Sequence, residues 1–280
     1  MSILLALSSA LIYGVGDYCG GRASRFHPSA IVTAVGQTVS LVLIAASVLV
    51  IGTPLPSTST MVWGAVAGIA GAIGLASLYY AFANGSMSVV APIAGVVGAV
   101  LPVVVGIATG ERPQRIAYVG IALAIAAVAL VSGAIGEHER PTSHRVMGFA
   151  VFAGVGFGVL FVALDQTDDA SGLWPLLAAR LSSVPLLLLF VAVTGARIGA
   201  QRNQLRLAAV AGGLDMAANV LYLEAVRGGL LSLVAVVSSM YPASTVMLAF
   251  AIDRERVNRW QALGMGLAAG SLVLVTLGRA

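Results

Sequence analysis

The chain consists almost entirely of long apolar segments separated by short polar gaps. The apolar segments fall at residues 2–21, 29–51, 61–83, 87–108, 116–135, 146–165, 173–194, 206–225, 230–251 and 259–277. A helix rises about 1.5 Å per residue, so roughly 20 apolar residues cross a bilayer core of about 30 Å. The pattern therefore predicts an all-α polytopic membrane protein with ten transmembrane helices.

The composition excludes most other classes of protein. Hydrophobic residues make up 59% of the chain and charged residues only 9%, whereas a soluble domain is about 25% charged. The net charge of +4 comes from arginines in the polar gaps, with no basic run among aromatics, so no nucleic-acid partner is expected. Cys19 is the single cysteine, which excludes an internal disulfide. The first apolar run lacks a basic leader and is expected to be a span, not a cleaved signal peptide.

The two halves of the sequence resemble each other on either side of the polar stretch "GEHERPTSHR" at 136–145. "LYYAFANGSMSVVAPI", which starts at Leu78, aligns with "LYLEAVRGGLLSLVAV", which starts at Leu221. Further on, the pair Glu111–Arg112 aligns with Glu255–Arg256. Any two apolar helices look alike, but the charged pair and the Leu-Tyr pair recur in the same order.

Each half holds an odd number of predicted spans, so consecutive copies must cross the membrane in opposite directions. The sequence thus predicts two inverted five-helix repeats, at 1–136 and 146–280, joined by a polar linker at 137–145. Inverted repeats are typical of secondary transporters, whose substrate site lies near the midplane between the repeats.

These motifs resemble the EamA family of the drug/metabolite transporter superfamily. The resemblance rests on the two five-span halves, the "GER" and "RER" segments, the arginine of "AARLSSVPLLLL" and the pair Tyr241–Pro242 before Glu255. The first half of the sequence departs from the family pattern at two positions. It has Gln37 where the second half has Arg180, and Gly98 where the family proline would fall. The resemblance implies a multi-pass carrier of small metabolites in the bacterial inner (plasma) membrane, and it leaves the substrate open.

The orientation of the chain stays open. More arginines follow odd-numbered spans (Arg22, Arg25, Arg140, Arg145, Arg197, Arg202, Arg206, Arg254, Arg256 and Arg259) than even-numbered ones (Arg112, Arg115, Arg227 and Arg279). By the positive-inside rule this asymmetry predicts termini outside the cytoplasm, whereas the family resemblance implies cytoplasmic termini.

Two carboxylates within the spans are the main candidates for substrate binding and proton coupling. Asp17 lies in the first span with Tyr13 one helical turn before it, and it faces either a central cavity or the nearby Arg22 and Arg25. Asp215 lies deeper, in the eighth span. An ionisable residue inside a membrane is expensive and by default indicates function.

Further polar residues extend this candidate substrate-binding set. Asn219 and Tyr222 follow Asp215 along one helical face. Arg180 in the seventh span cannot lose its proton, so it requires water, a substrate carboxylate or a carboxylate partner, for which Asp215 and Asp17 are the main candidates. Gln37 is its counterpart in the first half. Tyr79 and Tyr222 are equivalent in the two halves and are predicted to line the cavity from both sides, although aromatics near span ends often mark the membrane interface. Glu224 is expected to pair with Arg227.

Glycine is frequent within the spans. Gly64 and Gly68, like Gly266 and Gly270, have the spacing of small residues that allows two helices to approach closely.

The leading hypothesis is a secondary active transporter for a small polar metabolite, such as an amino acid or related amine, driven by protons or by the substrate gradient. The alternative is a flippase for a lipid-linked substrate, or its accessory subunit, with Arg22, Arg25 and Arg180 at the headgroups. The sequence lacks a Walker A motif, an HExxH motif and any histidine within the spans, so no catalytic residue, metal or cofactor is expected. The expected partners are the small-molecule substrate and membrane lipid, with a homodimer left open.

Overall fold

The computed structural model describes residues 1–131, 143–253 and 259–277, and within these ranges all regular structure is helical. The α-helices are Ser2–Ala23 (α1), Ser29–Ile51 (α2), Thr58–Asn84 (α3), Met87–Ala108 (α4), Arg115–Val131 (α5), His144–Asp165 (α6), Trp174–Thr194 (α7), Leu205–Arg227 (α8), Leu231–Ser238 (α9), Pro242–Asp253 (α10) and Arg259–Leu277 (α11). Most of the predicted linker, and the aligned pair Glu255–Arg256, lie outside the described residues.

The helices are long and apolar enough for a membrane protein. By length and composition, 8 helical segments of the described chain could each cross a bilayer; they are α1 to α4, α6, α7, Arg202–Arg227 and Leu231–Asp253. A shorter apolar segment, Arg115–Ala127, belongs to α5. Large apolar side chains such as Val50 and Leu49 are more than four-fifths exposed, as expected for a surface that faces lipid tails.

Local sequence signals set where the helices begin and end. Ser57 accepts a hydrogen bond from the backbone N–H of Thr60 at 3.2 Å and so caps α3, and Ser143 caps α6 in the same way. Gly52 and Gly195 end α2 and α7 with φ of 68° and 62°. This left-handed conformation is open to glycine and strained for residues with a side chain.

The ninth predicted span is not one continuous helix. The sequence indicates a single segment at 230–251, but the structure divides it into α9 and α10, joined by a turn over residues 239–241. Pro242 begins α10 and has no N–H to continue the hydrogen bonding of α9. Broken helices inside a membrane occur where the backbone is buried in protein or lines a cavity, and Ser239 and Tyr241 are both buried.

Packing between non-consecutive helices builds the bundle. α1 packs on α8 and α10, α2 on α7 and α8, α3 on α6 and α7, α4 on α6 and α9, and α5 on α11. The helices approach closely where small residues meet. A Cβ at Gly68 would overlap the carbonyl oxygen of Ala179 on α7, and one at Gly64 would lie 2.6 Å from that of Pro175. These contacts agree with the close helix approach predicted from the spacing of Gly64 and Gly68. A Cβ at Gly266, by contrast, would have no described atom within 4 Å, so no close helix contact is seen there.

Glu111, from the recurring "GER" segment, caps α9. Its carboxylate accepts hydrogen bonds from the backbone N–H groups of Leu231 and Ser232, the latter at 3.0 Å. The first N–H groups of a helix have no partner within it, and the helix dipole favours a negative charge at that end. The loop after α4 is thereby tied to the start of α9.

Replacing Gly68 with alanine should destabilise the α3–α7 contact, because the new methyl group overlaps backbone atoms that cannot rotate away. We expect a loss of about 1–3 kcal/mol in the free energy of unfolding, measured as a lower melting temperature of the purified protein in detergent. Gly148→Ala is the matched control, since no atom lies within 4 Å of its Cβ position. Equal effects of the two changes would contradict the packing described for Gly68.

Replacing Glu111 with glutamine should weaken the cap of α9, because the neutral amide keeps only one acceptor oxygen for the two N–H groups. The expected loss is about 0.5–2 kcal/mol, the range for caps in general, again measured by thermal unfolding. Glu224→Gln is the control, since Glu224 is half exposed and pairs only with Arg227 in the next helical turn. A control effect as large as that of Glu111→Gln would argue against the capping role.

Candidate functional site

A cavity lies between the middle portions of six helices and the α9–α10 turn. The space between its lining residues is about 420 Å³, its open mouth included. Its polar lining residues are Tyr13, Asp17, Gln37, Arg180, Asp215, Asn219 and Tyr241. Its apolar lining residues are Gly71, Leu75, Phe157, Leu160 and Phe161.

Helical spacing places these side chains in groups. Tyr13 and Asp17 are four residues apart on α1, and Asp215 and Asn219 are four apart on α8, so each pair lies on one helical face. The packing of α1 against α8 directs both faces to one space. Polar residues that are distant in the sequence therefore meet near the centre of the bundle.

Arg180 and Asp215 form a buried ion pair across the cavity. The guanidinium Nη2 donates to Asp215 Oδ2 at 2.6 Å, and the side chains are 2% and 15% exposed. Of the partners considered for Arg180 from sequence, Asp215 is therefore the one the structure shows. Separating two buried opposite charges is costly, so the pair connects α7 to α8 at this depth.

Asp17 has no such partner. Asp17 is 6% exposed and lines the same cavity. Its carboxylate makes no ion pair with any of the described residues. The sequence suggested Arg22 or Arg25 as alternative partners, but both bind Asp253, with N–O distances of 3.0 and 3.2 Å.

Several other polar atoms around the cavity also lack a partner among the residues described. They are the hydroxyls of Tyr13 and Tyr241, Arg180 Nε and Asn219 Oδ1. Asn219 Nδ2 donates a hydrogen bond to the backbone carbonyl of Asp215 at 2.7 Å. The side-chain oxygen of Asn219 is left to accept a hydrogen bond from another group. Buried polar atoms are normally hydrogen-bonded, so this concentration of unsatisfied atoms in one cavity indicates a binding site.

Gln37 lines the same cavity as Arg180 and Asp215. Its Oε1 accepts a hydrogen bond from Ser183 Oγ at 2.7 Å, which fixes the orientation of the carboxamide and leaves the Nε2 donor for another group. Gln37 also connects the cavity to a smaller adjacent hollow, which it lines together with Tyr79 and Asp215.

The two equivalent tyrosines do not line one cavity together. Tyr79 lines the smaller hollow only, and its ring occupies the space beside Gly20. Tyr222 is fully buried, stacks on Phe161 with ring centroids 4.2 Å apart, and donates a 3.3 Å hydrogen bond to the carbonyl of Phe161. The prediction that Tyr79 and Tyr222 line the cavity from both halves is therefore corrected: Tyr222 supports a cavity wall from behind.

The apolar wall contains the residues that sequence reasoning missed. Phe157 and Phe161 lie four residues apart on α6 and face the cavity, and Phe157 meets the ring of Tyr241 edge-on at 6.1 Å. Their only signal in the sequence is that helical spacing, which is common in any buried helix. Tyr241, from the pair Tyr241–Pro242, also lines the cavity.

The described residues offer no metal centre, since no group of three or more His, Cys, Asp and Glu side chains is placed to bind an ion. The chemistry of the cavity is therefore that of hydrogen bonds, one ion pair and one free carboxylate.

Asp17 and Asp215 should respond differently to neutralisation. Asp215→Asn leaves Arg180 buried without its counter-ion, and we expect a loss of about 3–5 kcal/mol in the free energy of unfolding. Asp17→Asn removes a buried charge that has no partner, and its melting temperature should equal or exceed that of the wild type. Thermal unfolding in detergent measures both. A large loss for Asp17→Asn would reveal a partner that the geometry does not show.

Comparison with known proteins gives the family. The EamA-like transporter family model matches residues 1–133 and 144–277. No curated protein matches the chain, whereas 29 chains of solved structures do. One of these, described only as a crystal structure of a protein, has a TM-score of 0.72 and 19% identity, over 99% of this chain and 96% of that chain. At this identity the likeness shows the fold alone. The chain belongs to the EamA-like transporter family, a family of membrane transporters within the drug/metabolite transporter superfamily.

Proposed function

We propose that the protein is a secondary active transporter of the bacterial plasma membrane that works by alternating access, with ten spans arranged as two inverted five-helix repeats, 1–136 and 146–280. The helix packing supports this division. We count the α9–α10 segment as the ninth span and α11 as the tenth, so that each span of the first half is equivalent to the span five places later. Under this equivalence the α1–α8 contact corresponds to the α6–α3 contact. The same equivalence relates the α2–α8 contact to α7–α3. The family model also matches the chain in two segments.

The substrate-binding site in this proposal is the central cavity. The observation that carries it is Asp17, a buried carboxylate without an ion-pair partner among the described residues. It lies in a cavity whose other charges, Arg180 and Asp215, neutralise each other. Burying an unpaired charge inside a membrane is expensive. A site that is occupied in turn by a proton and by a substrate amine explains why the chain retains it. The proposed substrate is a small polar metabolite, an amino acid or related amine.

Coupling to protons follows from the same carboxylate. A proton and an ammonium group cannot both occupy Asp17, so protonation on one side of the membrane releases the substrate there. Asp215 is the second coupling candidate. Its ion pair with Arg180 favours a positioning role, because its charge is already compensated.

The flippase alternative lacks a supporting observation. It would use Arg22, Arg25 and Arg180 to hold lipid headgroups, and each of these binds a carboxylate of the chain itself. Arg180 is also almost fully buried within the bundle. We therefore retain the small-molecule transporter.

The test is solute flux into liposomes that contain the purified protein. A panel of amino acids and amines is offered with and without an imposed pH gradient, and internal pH is followed with a trapped dye. We expect saturable uptake of at least one solute that moves protons in the opposite direction. Asp17→Asn should reduce the proton-linked flux at least tenfold.

Asp169→Asn is the matched control, because this aspartate is exposed in the loop before α7. Loss of proton coupling in Asp215→Asn but not in Asp17→Asn would move the coupling role to Asp215. Absence of saturable flux for every solute, with folded protein in the liposomes, would overturn the transporter proposal.

A further inference from the structure

When Asp17 is ionised, the charges in the cavity do not sum to zero. Its ionisable lining residues are Asp17, Asp215 and Arg180, together with the neutral phenols Tyr13 and Tyr241. Arg180 is engaged with Asp215 at 2.6 Å, so one negative charge remains, on Asp17. Uncompensated charge is costly in an environment of low dielectric constant. With Asp17 ionised, the cavity therefore favours either a proton or a ligand that brings one positive charge.

The free hydrogen-bonding atoms define a second feature of the ligand. Asn219 lines the same cavity as Asp17, and its Oδ1 is an acceptor without a partner among the described residues, which suits the N–H groups of an ammonium ion. Arg180 Nε is an unsatisfied donor, and Gln37 Nε2 is a second one, since Ser183 occupies only the Gln37 oxygen. These donors suit an oxygen elsewhere on the ligand.

The remaining surface of the cavity is apolar and largely aromatic. Phe157, Phe161, Leu75 and Leu160 line it, and the ring of Phe161 is held in place by the stacked ring of Tyr222. Such a wall stabilises an apolar body of the size of an aromatic ring, through burial and ring contacts.

From these features we propose that the ligand is a monovalent organic amine with an aromatic or similarly apolar body, a neutral oxygen and no carboxylate. This inference rests on the proposed transport function and narrows its substrate class. The ammonium group binds Asp17 and Asn219, the body lies against Phe157 and Phe161, and the oxygen accepts from Arg180 and Gln37.

Charge balance separates such an amine from an amino acid. With the amine bound, the cavity is neutral. A zwitterion adds a third carboxylate to a cavity with a single guanidinium, so the net charge of −1 remains. The free N–H of Arg180 does not alter this balance, because the charge of Arg180 is already matched by Asp215.

The test compares three matched probes: tyramine, tyrosine and 3-(4-hydroxyphenyl)propionate. They share the phenol ring and differ only in carrying the amine, both charged groups, or the carboxylate. A ligand that binds only the folded state raises the melting temperature, and at a given concentration a tighter ligand raises it more. With the full-length protein in detergent, we expect stabilisation by tyramine at a concentration at least tenfold lower than by tyrosine, and none by the propionate.

Two variants test the contacts. Asp17→Asn should weaken tyramine binding at least tenfold, while the control Asp169→Asn binds as the wild type does. Phe157→Ala should weaken the binding of tyramine but not of butylamine, which lacks a ring. The Phe157 comparison remains informative if Asp17→Asn fails to fold.

The outcomes separate this inference from the transport proposal. Tyrosine that stabilises the protein as well as tyramine does, or a tyramine affinity unchanged by Asp17→Asn, would overturn the assignment of a carboxylate-free amine. Absence of stabilisation by any probe would also overturn it. Flux of tyrosine but not tyramine in liposomes would refute the substrate class and leave the transporter standing. Tyramine binding without flux of any solute would support the cation site and refute transport.

Discussion

The ion pair between Arg180 and Asp215 is the interaction on which the centre of the bundle depends. A guanidinium cannot be neutralised by losing its proton, and at 2% exposure it has almost no water to solvate it. Asp215 must therefore stay close, which fixes α7 relative to α8 at the depth of the cavity. Because this pair consumes the only positive charge among the lining residues, the properties of the site come from the carboxylate that remains, Asp17.

Close backbone contact determines how the rest of the bundle is arranged around that pair. Gly36 on α2 and Gly212 on α8 meet so closely that a Cβ on Gly212 would overlap the carbonyl oxygen of Gly36. Nearby, Ser40 Oγ donates to the carbonyl of Gly212 at 2.6 Å. Lipid tails are as apolar as leucine, so helices in a membrane associate through close packing and hydrogen bonds of this kind. The same contacts bring Gln37 within reach of the cavity.

The sequence predicts the polar half of the site and misses the apolar half, for a physical reason. Tyr13, Asp17, Gln37, Arg180, Asp215 and Asn219 are conspicuous because polar groups are rare and expensive in apolar spans. Phe157 and Leu160 carry no comparable signal, since an apolar residue in an apolar helix suits lipid, core and cavity equally well. Only the packing of α6 against α3 and α4 determines which of its faces is turned inward. The same packing places the ring of Tyr222 against Phe161, behind the cavity wall.

The interruption between α9 and α10 has a mechanical consequence. The start of α9 is held by Glu111 at one end of the bundle, and Asp253, the last residue of α10, binds Arg22 and Arg25 at the opposite end. A continuous helix would transmit any tilt at one end to the other. The turn at residues 239–241 interrupts that rigid connection, because Pro242 has no N–H to continue α9. Since Tyr241 lies in this turn and also lines the cavity, the break between the two halves is itself part of the cavity wall.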